Sequence, residues 1–147
     1  MAKRPSKQKA EEFVLDGSVT LAWYFKDEAD AYADGVAARF PGVQAVVPVI
    51  WPLEVANAVV MGERRKRSTE AQAAKWLGYL ASLPIAVDDE SNVRAWNDVL
   101  NLARTTNLSA YDAAYLELAL RRGLRLATLD DRLKAAASAL GVPGYTP

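Results

Sequence analysis

Short apolar runs alternate along the chain with longer segments in which apolar residues recur every three or four positions. Four of the runs have the length and the flanking turn residues of buried strands, and they span residues 13–16, 44–47, 84–87 and 125–129. Strands that alternate with helices are typical of a parallel sheet that is covered on both faces. The pattern therefore predicts an α/β fold, a three-layer α/β/α sandwich around a mostly parallel sheet of four or five strands.

The segments between the strands carry residues that commonly begin or end helices. Pro52 suits a first helical turn, and Ser68 is expected to cap the next helix. A further helix is expected to begin at Ser109 and to end at Gly123. The helix after Ser68 is predicted to turn four residues inward: Ala71, Ala74, Leu77 and Leu80. The other predicted helices span residues 19–25, 28–40, 52–66, 91–104 and 130–140.

Composition limits both the architecture and the chemistry. The 147 residues are 51% hydrophobic, which suits a single domain over residues 11–147, and a basic tail over residues 1–10 is expected to be disordered. The chain has no Cys and no His, which excludes disulfides, thiolate–zinc sites, imidazole ligands and a Ser-His-Asp triad. Charged residues interrupt every apolar run before the roughly 20 residues that a membrane span needs, so no membrane partner is predicted.

Four acidic residues are predicted to lie at one edge of the sheet. Asp16 follows the first strand and Asp130 the fourth, whereas Glu54 and Asp112 lie in the first turns of two helices. In a parallel α/β sheet, strand C-termini and the first turns of nearby helices share the edge at which ligands bind. Clustered carboxylates repel one another unless a cation compensates, and carboxylate oxygens favour Mg²⁺ or Mn²⁺. The sequence therefore predicts a carboxylate metal site that acts on a phosphate-containing substrate.

Three polar residues near these acids are candidate orienting groups. Ser18 is two residues from Asp16, and Thr128 precedes the acidic pair after the fourth strand. Asn57 lies three residues after Glu54, on the same helical face. We expect these side chains to orient the acids, a metal-bound water or the substrate.

The acids also have structural interpretations that involve no ligand. Asp16 in Asp-Gly-Ser is equally typical of a helix N-cap, and Glu54 of a favourable charge in a first helical turn. Ser109-x-x-Asp112 matches a capping box. Of the adjacent Asp130 and Asp131, one is expected to cap the last helix, with Asp130 the better candidate ligand because it is nearer the strand.

Other charged and aromatic residues have two interpretations each, or a structural one alone. The run Arg64–Arg67 at a helix C-terminus is typical of a solvated helix end and also of phosphate contacts. Trp23 and Trp51 are suited to stacking on bases or to packing in the core. The acidic run Asp88–Glu90 is interpreted as a solvated helix entry.

Four segments resemble the PIN domain and, more narrowly, the VapC-type toxins of prokaryotic toxin–antitoxin pairs. They are FVLDGSVTLAWYF, the helix start Glu54–Asn57, LSAYDAAYLELAL and LATLDDRL, and the resemblance runs from about Phe13 to Val142. It implies a Mg²⁺- or Mn²⁺-dependent endoribonuclease of the prokaryotic cytoplasm, often homodimeric, and neutralised by a small antitoxin that covers the acidic groove. The resemblance places the four family acids at Asp16, Glu54, Asp112 and Asp130.

Two other functions are compatible with the residues. A non-catalytic module of the same fold would bind RNA or a protein partner without cleavage. An Asp after the first strand is also typical of Asp-based phosphatases and phospho-acceptor domains, but the phosphatase pattern requires a second Asp where this chain has Ser18.

Overall fold

The computed structural model describes residues 9–147. The predicted N-terminal tail lies outside these residues except for Lys9 and Ala10, which are both exposed.

The centre of the molecule is a parallel sheet of four strands: β1 (Glu11–Leu15), β2 (Val43–Val47), β3 (Ile85–Val87) and β4 (Arg125–Ala127). The strand order is β3-β2-β1-β4. Leu15 pairs with Ala127, and Val47 pairs with Val87, so the C-terminal ends of the strands lie at one edge. Beyond β4, the backbone near Gly144 forms a further parallel bridge with Leu126.

Helices flank this sheet and complete the predicted three-layer α/β sandwich. They are α1 (Gly17–Ala22), α2 (Ala31–Ala37), α3 (Trp51–Arg64), α4 (Glu70–Ser82), α5 (Leu100–Thr106), α6 (Ala110–Arg122) and α7 (Asp131–Ala139). A 3-10 turn, Lys26–Glu28, precedes α2, and a π-helical turn, Ala95–Val99, precedes α5. No helix in the described part of the chain is long and apolar enough to cross a membrane.

Two predictions about α4 were wrong. Thr69, not Ser68, is the N-cap, because its hydroxyl accepts a hydrogen bond from the amide of Gln72 and the Gln72 side chain returns a bond to the Thr69 amide. The inward face is also partly displaced from the predicted one. Leu80 is buried as predicted, but Ala73 is buried in place of Ala71 and Ala74, which are exposed, and Leu77 is 39% exposed.

Helix α2 is shorter than predicted, and the helix predicted over residues 91–104 is not continuous. Asp30 caps α2 by accepting a hydrogen bond from the amide of Ala33, so the helix begins at Ala31 instead of residue 28. The predicted helix over residues 91–104 instead consists of irregular turns, the π-helical turn and the start of α5. Helix α5 ends at Thr106, and the next residue, Asn107, has a left-handed backbone conformation with φ of 58°.

The core lies between the sheet and the helices that cross it. Phe13 in β1 is fully buried and stacks on Tyr145, with 4.1 Å between the ring centroids. Helix α6 contacts both β1 and β4 and buries Leu116 and Leu118 completely. Each such side chain contributes about 1.5–3 kcal/mol of burial free energy. This packing holds the first turn of α6 close to the edge at which β1 and β4 end.

Candidate functional site

Asp16 lies at the C-terminal end of β1 and is only 5% exposed. Its amide donates to the carbonyl of Ala127, which extends the β1–β4 ladder to the edge of the sheet. Its Oδ2 accepts hydrogen bonds from the hydroxyls of Ser18 at 2.6 Å and Thr128 at 2.8 Å. Burial raises the pKa of Asp16, and the two hydroxyl bonds oppose that increase. Asp16 precedes α1 as its N-cap residue, but its side chain makes no capping bond.

Ser18 and Thr128 connect this carboxylate to the loop between β4 and α7. The Ser18 hydroxyl accepts from the amide of Leu129 at 3.0 Å, and the Thr128 hydroxyl accepts from the amide of Asp130 at 3.0 Å. Each hydroxyl therefore donates to Asp16 and accepts from the loop, so its orientation is set from both sides.

Glu54 lies in the first turn of α3 and is partly buried. Its Oε1 accepts a hydrogen bond of 2.7 Å from the hydroxyl of Tyr115 in α6. Burial raises the pKa of Glu54, the Tyr115 bond opposes this, and the negative charges of Asp16 and Asp112 raise the pKa further. Tyr115 was not among the predicted site residues. The sequence signal that could have found it is its position three residues after Asp112, which puts both residues on the same face of the helix.

Asp112 lies in the first turn of α6. Its amide donates to the hydroxyl of Ser109 at 3.1 Å, so Ser109 is the N-cap, but the return bond from the Ser109 amide to the Asp112 side chain that would complete the predicted capping box is not formed. Burial raises the pKa of Asp112, and the charges of Asp16 and Asp130 raise it further. The fold therefore brings Asp16 and Asp112 close enough to Glu54 for their charges to raise its pKa, and Asp16 close enough to Asp112 to raise the pKa of Asp112.

Asp130 has a structural role at the start of α7. Its Oδ1 accepts from the amide of Leu133 at 3.0 Å, so Asp130, and not Asp131, is the helix cap. Asp130 is also the residue whose charge acts on Asp112, whereas Asp131 is exposed. Asn57 does not join the cluster: it is exposed and borders a groove with Met61 and Arg65 on another face.

The donors at this edge are carboxylate and hydroxyl oxygens, the chemistry that Mg²⁺ and Mn²⁺ prefer. Burial and mutual repulsion disfavour the ionised acids, a cost that a cation would remove. The donor chemistry therefore fits a divalent metal. Within residues 9–147, however, no three acidic side chains are close enough in their present positions to hold one ion together.

The interpretation of the acidic run after β3 was wrong for Asp88. Its carboxylate forms an ion pair with Arg121, with 2.7 Å between Oδ2 and Nη2, and the two side chains are only 7% and 16% exposed. Ser91 donates a further bond to Asp88, and Glu117 binds Arg121 from the same helix. Burial opposes the ionisation of Asp88, but the bonds from Arg121 and Ser91 outweigh it and lower the pKa.

The two tryptophans and the basic run show mostly structural contacts. Trp51 is buried and donates to the Thr20 hydroxyl at 3.0 Å, and Trp23 donates to the carbonyl of Ala33 at 2.7 Å. Arg67 pairs with Asp27 and Glu28. The remaining members of the basic run, Arg64–Lys66, are exposed.

The chain belongs to the PIN-domain family, whose profile matches residues 13–139. It is similar to Ribonuclease VapC3 of Pyrobaculum aerophilum, with 29% identity over 132 residues that cover 90% of this chain and 99% of that protein. It is also similar to the crystal structure of PAE2754 from Pyrobaculum aerophilum, with a TM-score of 0.64 and 25% identity over 86% of this chain and 85% of the other. The predicted resemblance to VapC-type PIN domains is thus confirmed.

Proposed function

We propose that this protein is a Mg²⁺- or Mn²⁺-dependent endoribonuclease and the toxin of a VapBC-type toxin–antitoxin pair. The observation that carries the proposal is the group of Asp16, Glu54 and Asp112 at the C-terminal edge of a PIN-family sheet, where each carboxylate has a raised pKa. The similarity to a ribonuclease of the VapC type supports RNA as the substrate. Clustered, partly desolvated acids of this kind are typical of functional sites.

After a shift of the side chains from their present positions, Asp16 and Asp112 would be the main metal ligands, with Asp130 as a further ligand. Glu54 would position the attacking water as a base or bind a second ion. When bound, the metal would neutralise phosphate charge and lower the pKa of a coordinated water. Ser18 and Thr128 hold the carboxylate of Asp16 in one orientation through their bonds to its Oδ2. The exposed residues Arg64–Lys66 are available for contacts with RNA phosphates.

The proposed protein partners are a small antitoxin that covers the acidic groove and a second copy of the chain. Beside Asp112, the exposed aromatic residues Trp96 (89%) and Tyr111 (62%) border a groove of about 310 Å³ that also includes Val49. Exposed apolar patches of this kind commonly mark interfaces between proteins, which supports a homodimer through this face. Such a protein would act in the prokaryotic cytoplasm.

Cleavage of a labelled single-stranded RNA by the purified protein, with Mg²⁺, with Mn²⁺ or with EDTA, tests the nuclease proposal. Cleavage should require a divalent ion and should fall by roughly 10²-fold or more in Asp112→Asn and Asp16→Asn. Asp131→Asn is the matched control, because Asp131 is exposed and is not a proposed ligand. Equal cleavage by Asp112→Asn and wild type would remove Asp112 from the mechanism. RNA binding without cleavage under every divalent ion would favour a non-catalytic module.

A further inference from the structure

Tyr115 is fully buried, but its hydroxyl reaches the edge of the sheet at which the acids gather. The hydroxyl lies 3.6 Å from the point that a Cβ on Gly17 would occupy, and Glu54 Oε2 lies 3.7 Å from the same point. Tyr115 and Glu54 therefore meet against the first residue of α1, next to Asp16 in the chain. The contact joins residues that are 61 positions apart.

The Tyr115 bond constrains Glu54 without neutralising it. Among the ion pairs within residues 9–147, none includes Glu54, Asp16 or Asp112. A Lys or Arg beside Glu54 would fix the carboxylate equally well but would repel a divalent cation. A neutral hydroxyl donates one hydrogen bond and leaves the negative charge of the carboxylate available.

We infer that Tyr115 is a positioning residue whose hydroxyl holds Glu54 Oε1, so that Oε2 is presented to a divalent metal ion or to its bound water. The inference rests on the proposed function, since it assigns a role within the same site. Partners of metal-binding groups commonly set the orientation of those groups, and their loss typically weakens metal binding by about 10- to 100-fold.

Helix α4 provides a matched control for the phenol group. Tyr79 is 47% exposed, and its hydroxyl makes no hydrogen bond within the described residues. Tyr79→Phe and Tyr115→Phe therefore remove the same hydroxyl from a helix, and only one of them removes a contact with Glu54.

The test is calorimetric titration of Mn²⁺ into the full chain, with circular dichroism and thermal unfolding of each metal-free protein. We expect Tyr115→Phe to bind Mn²⁺ about 10- to 100-fold more weakly than wild type, and Tyr79→Phe to bind like wild type. A purely structural role would lower the unfolding temperature of Tyr115→Phe and leave its Mn²⁺ affinity unchanged, which would overturn the inference. A wild-type protein that neither binds Mn²⁺ nor cleaves RNA would instead overturn the proposed function, and the positioning role with it.

Glu54→Asp keeps the inference testable if Tyr115→Phe does not fold. This change keeps both the carboxylate and the tyrosine, but it shortens the acid by one methylene and withdraws it from the hydroxyl. We expect the same loss of Mn²⁺ affinity as for Tyr115→Phe. Wild-type affinity in folded Glu54→Asp would show that the Tyr115 bond does not position the carboxylate for metal.

Discussion

The hydroxyl of Thr128 donates a hydrogen bond of 2.8 Å to Oδ2 of Asp16, although the two residues are 112 positions apart in the chain. They meet because β4 and β1 are adjacent parallel strands that end at the same edge. Both side chains are buried, and the same hydroxyl accepts from the amide of Asp130. One threonine therefore connects the acid after β1 with the acid that begins α7.

Replacing Thr128 with Val keeps the shape of this side chain and removes the hydroxyl. We expect Thr128→Val to lower the free energy of unfolding by about 1–3 kcal/mol, because Asp16 and the Asp130 amide both lose a buried partner. Urea denaturation measures the loss. Thr105→Val is the control, since the exposed Thr105 bonds only to its own helix and should change stability by about 0.5 kcal/mol or less. Equal stabilities of the two variants would contradict the linking role of Thr128.

The repulsion at Asp112 predicts a stability that depends on pH in the metal-free protein. Burial raises the pKa of Asp112, and the charges of Asp16 and Asp130 add to the increase. A carboxyl with a raised pKa stabilises the native state while it is protonated, and this contribution is lost as the pH rises from the ordinary value of 3.8 through the folded-state pKa. Asp112→Asn should therefore be more stable than wild type at pH 7, by about 1 kcal/mol or less because of solvent screening.

Urea denaturation in EDTA at pH 7 and near pH 4 measures this difference, which should shrink at the lower pH. Mn²⁺ should then stabilise wild type more than Asp112→Asn, because a ligand that binds only the native state raises its stability. If the metal-free variant is the less stable protein at pH 7, the interpretation of Asp112 as a repelled carboxylate is wrong.

Sequence reasoning succeeded where the determining contacts are local. The apolar run that ends at Asp16 indicated a buried strand, and Ser109 caps α6 as its spacing with Asp112 predicted. Pro52 likewise lies at the start of α3, as its missing amide proton favours. In each case the pattern concerns residues within one turn or one strand, so no knowledge of the rest of the chain is needed.

The contacts that were not predicted join residues that are distant in the chain. Nothing near Glu54 indicates that Tyr115 will donate to it, and nothing near Asp88 indicates a pairing with Arg121, which is 33 positions away. The prediction of the inward face of α4 was partly wrong for a related reason. Trp76 stacks on Tyr24 with 4.5 Å between ring centroids and packs against the core, so the inward face includes Trp76 and not Leu77.

The ion pair between Asp88 and Arg121 predicts a second, opposite dependence on pH. Because the hydrogen bonds from Arg121 and Ser91 outweigh burial and lower the pKa of Asp88, its contribution to stability is present above the ordinary value of 3.8 and is lost as the pH falls through the folded-state pKa. Asp88→Asn should cost about 1–3 kcal/mol at pH 7, since Arg121 keeps its bond to Glu117.

Chemical denaturation of Asp88→Asn and wild type at pH 7 and pH 3 measures this contribution, and the difference between them should be smaller at pH 3. The adjacent Asp89 is exposed and has no ion pair within the described residues, so Asp89→Asn should match wild type at both values. A constant difference at the two pH values would show that ionisation of Asp88 does not carry the effect.

Two helical glycines predict opposite responses to the same substitution. A Cβ added to Gly62 in α3 would lie 2.7 Å from Cε1 of Phe25, a buried ring that also has the Arg67 guanidinium 4.0 Å above its centroid. A Cβ added to Gly78 in α4 would meet nothing within 4 Å. Gly78→Ala should therefore stabilise the protein by about 0.5–1 kcal/mol through helix propensity alone. Gly62→Ala should be less stable than Gly78→Ala by about 1–3 kcal/mol, because overpacking displaces the Phe25 ring.

Thermal unfolding of the two variants beside wild type measures both effects. An equal gain in stability in both variants would mean that α3 and the Phe25 ring are not in close contact.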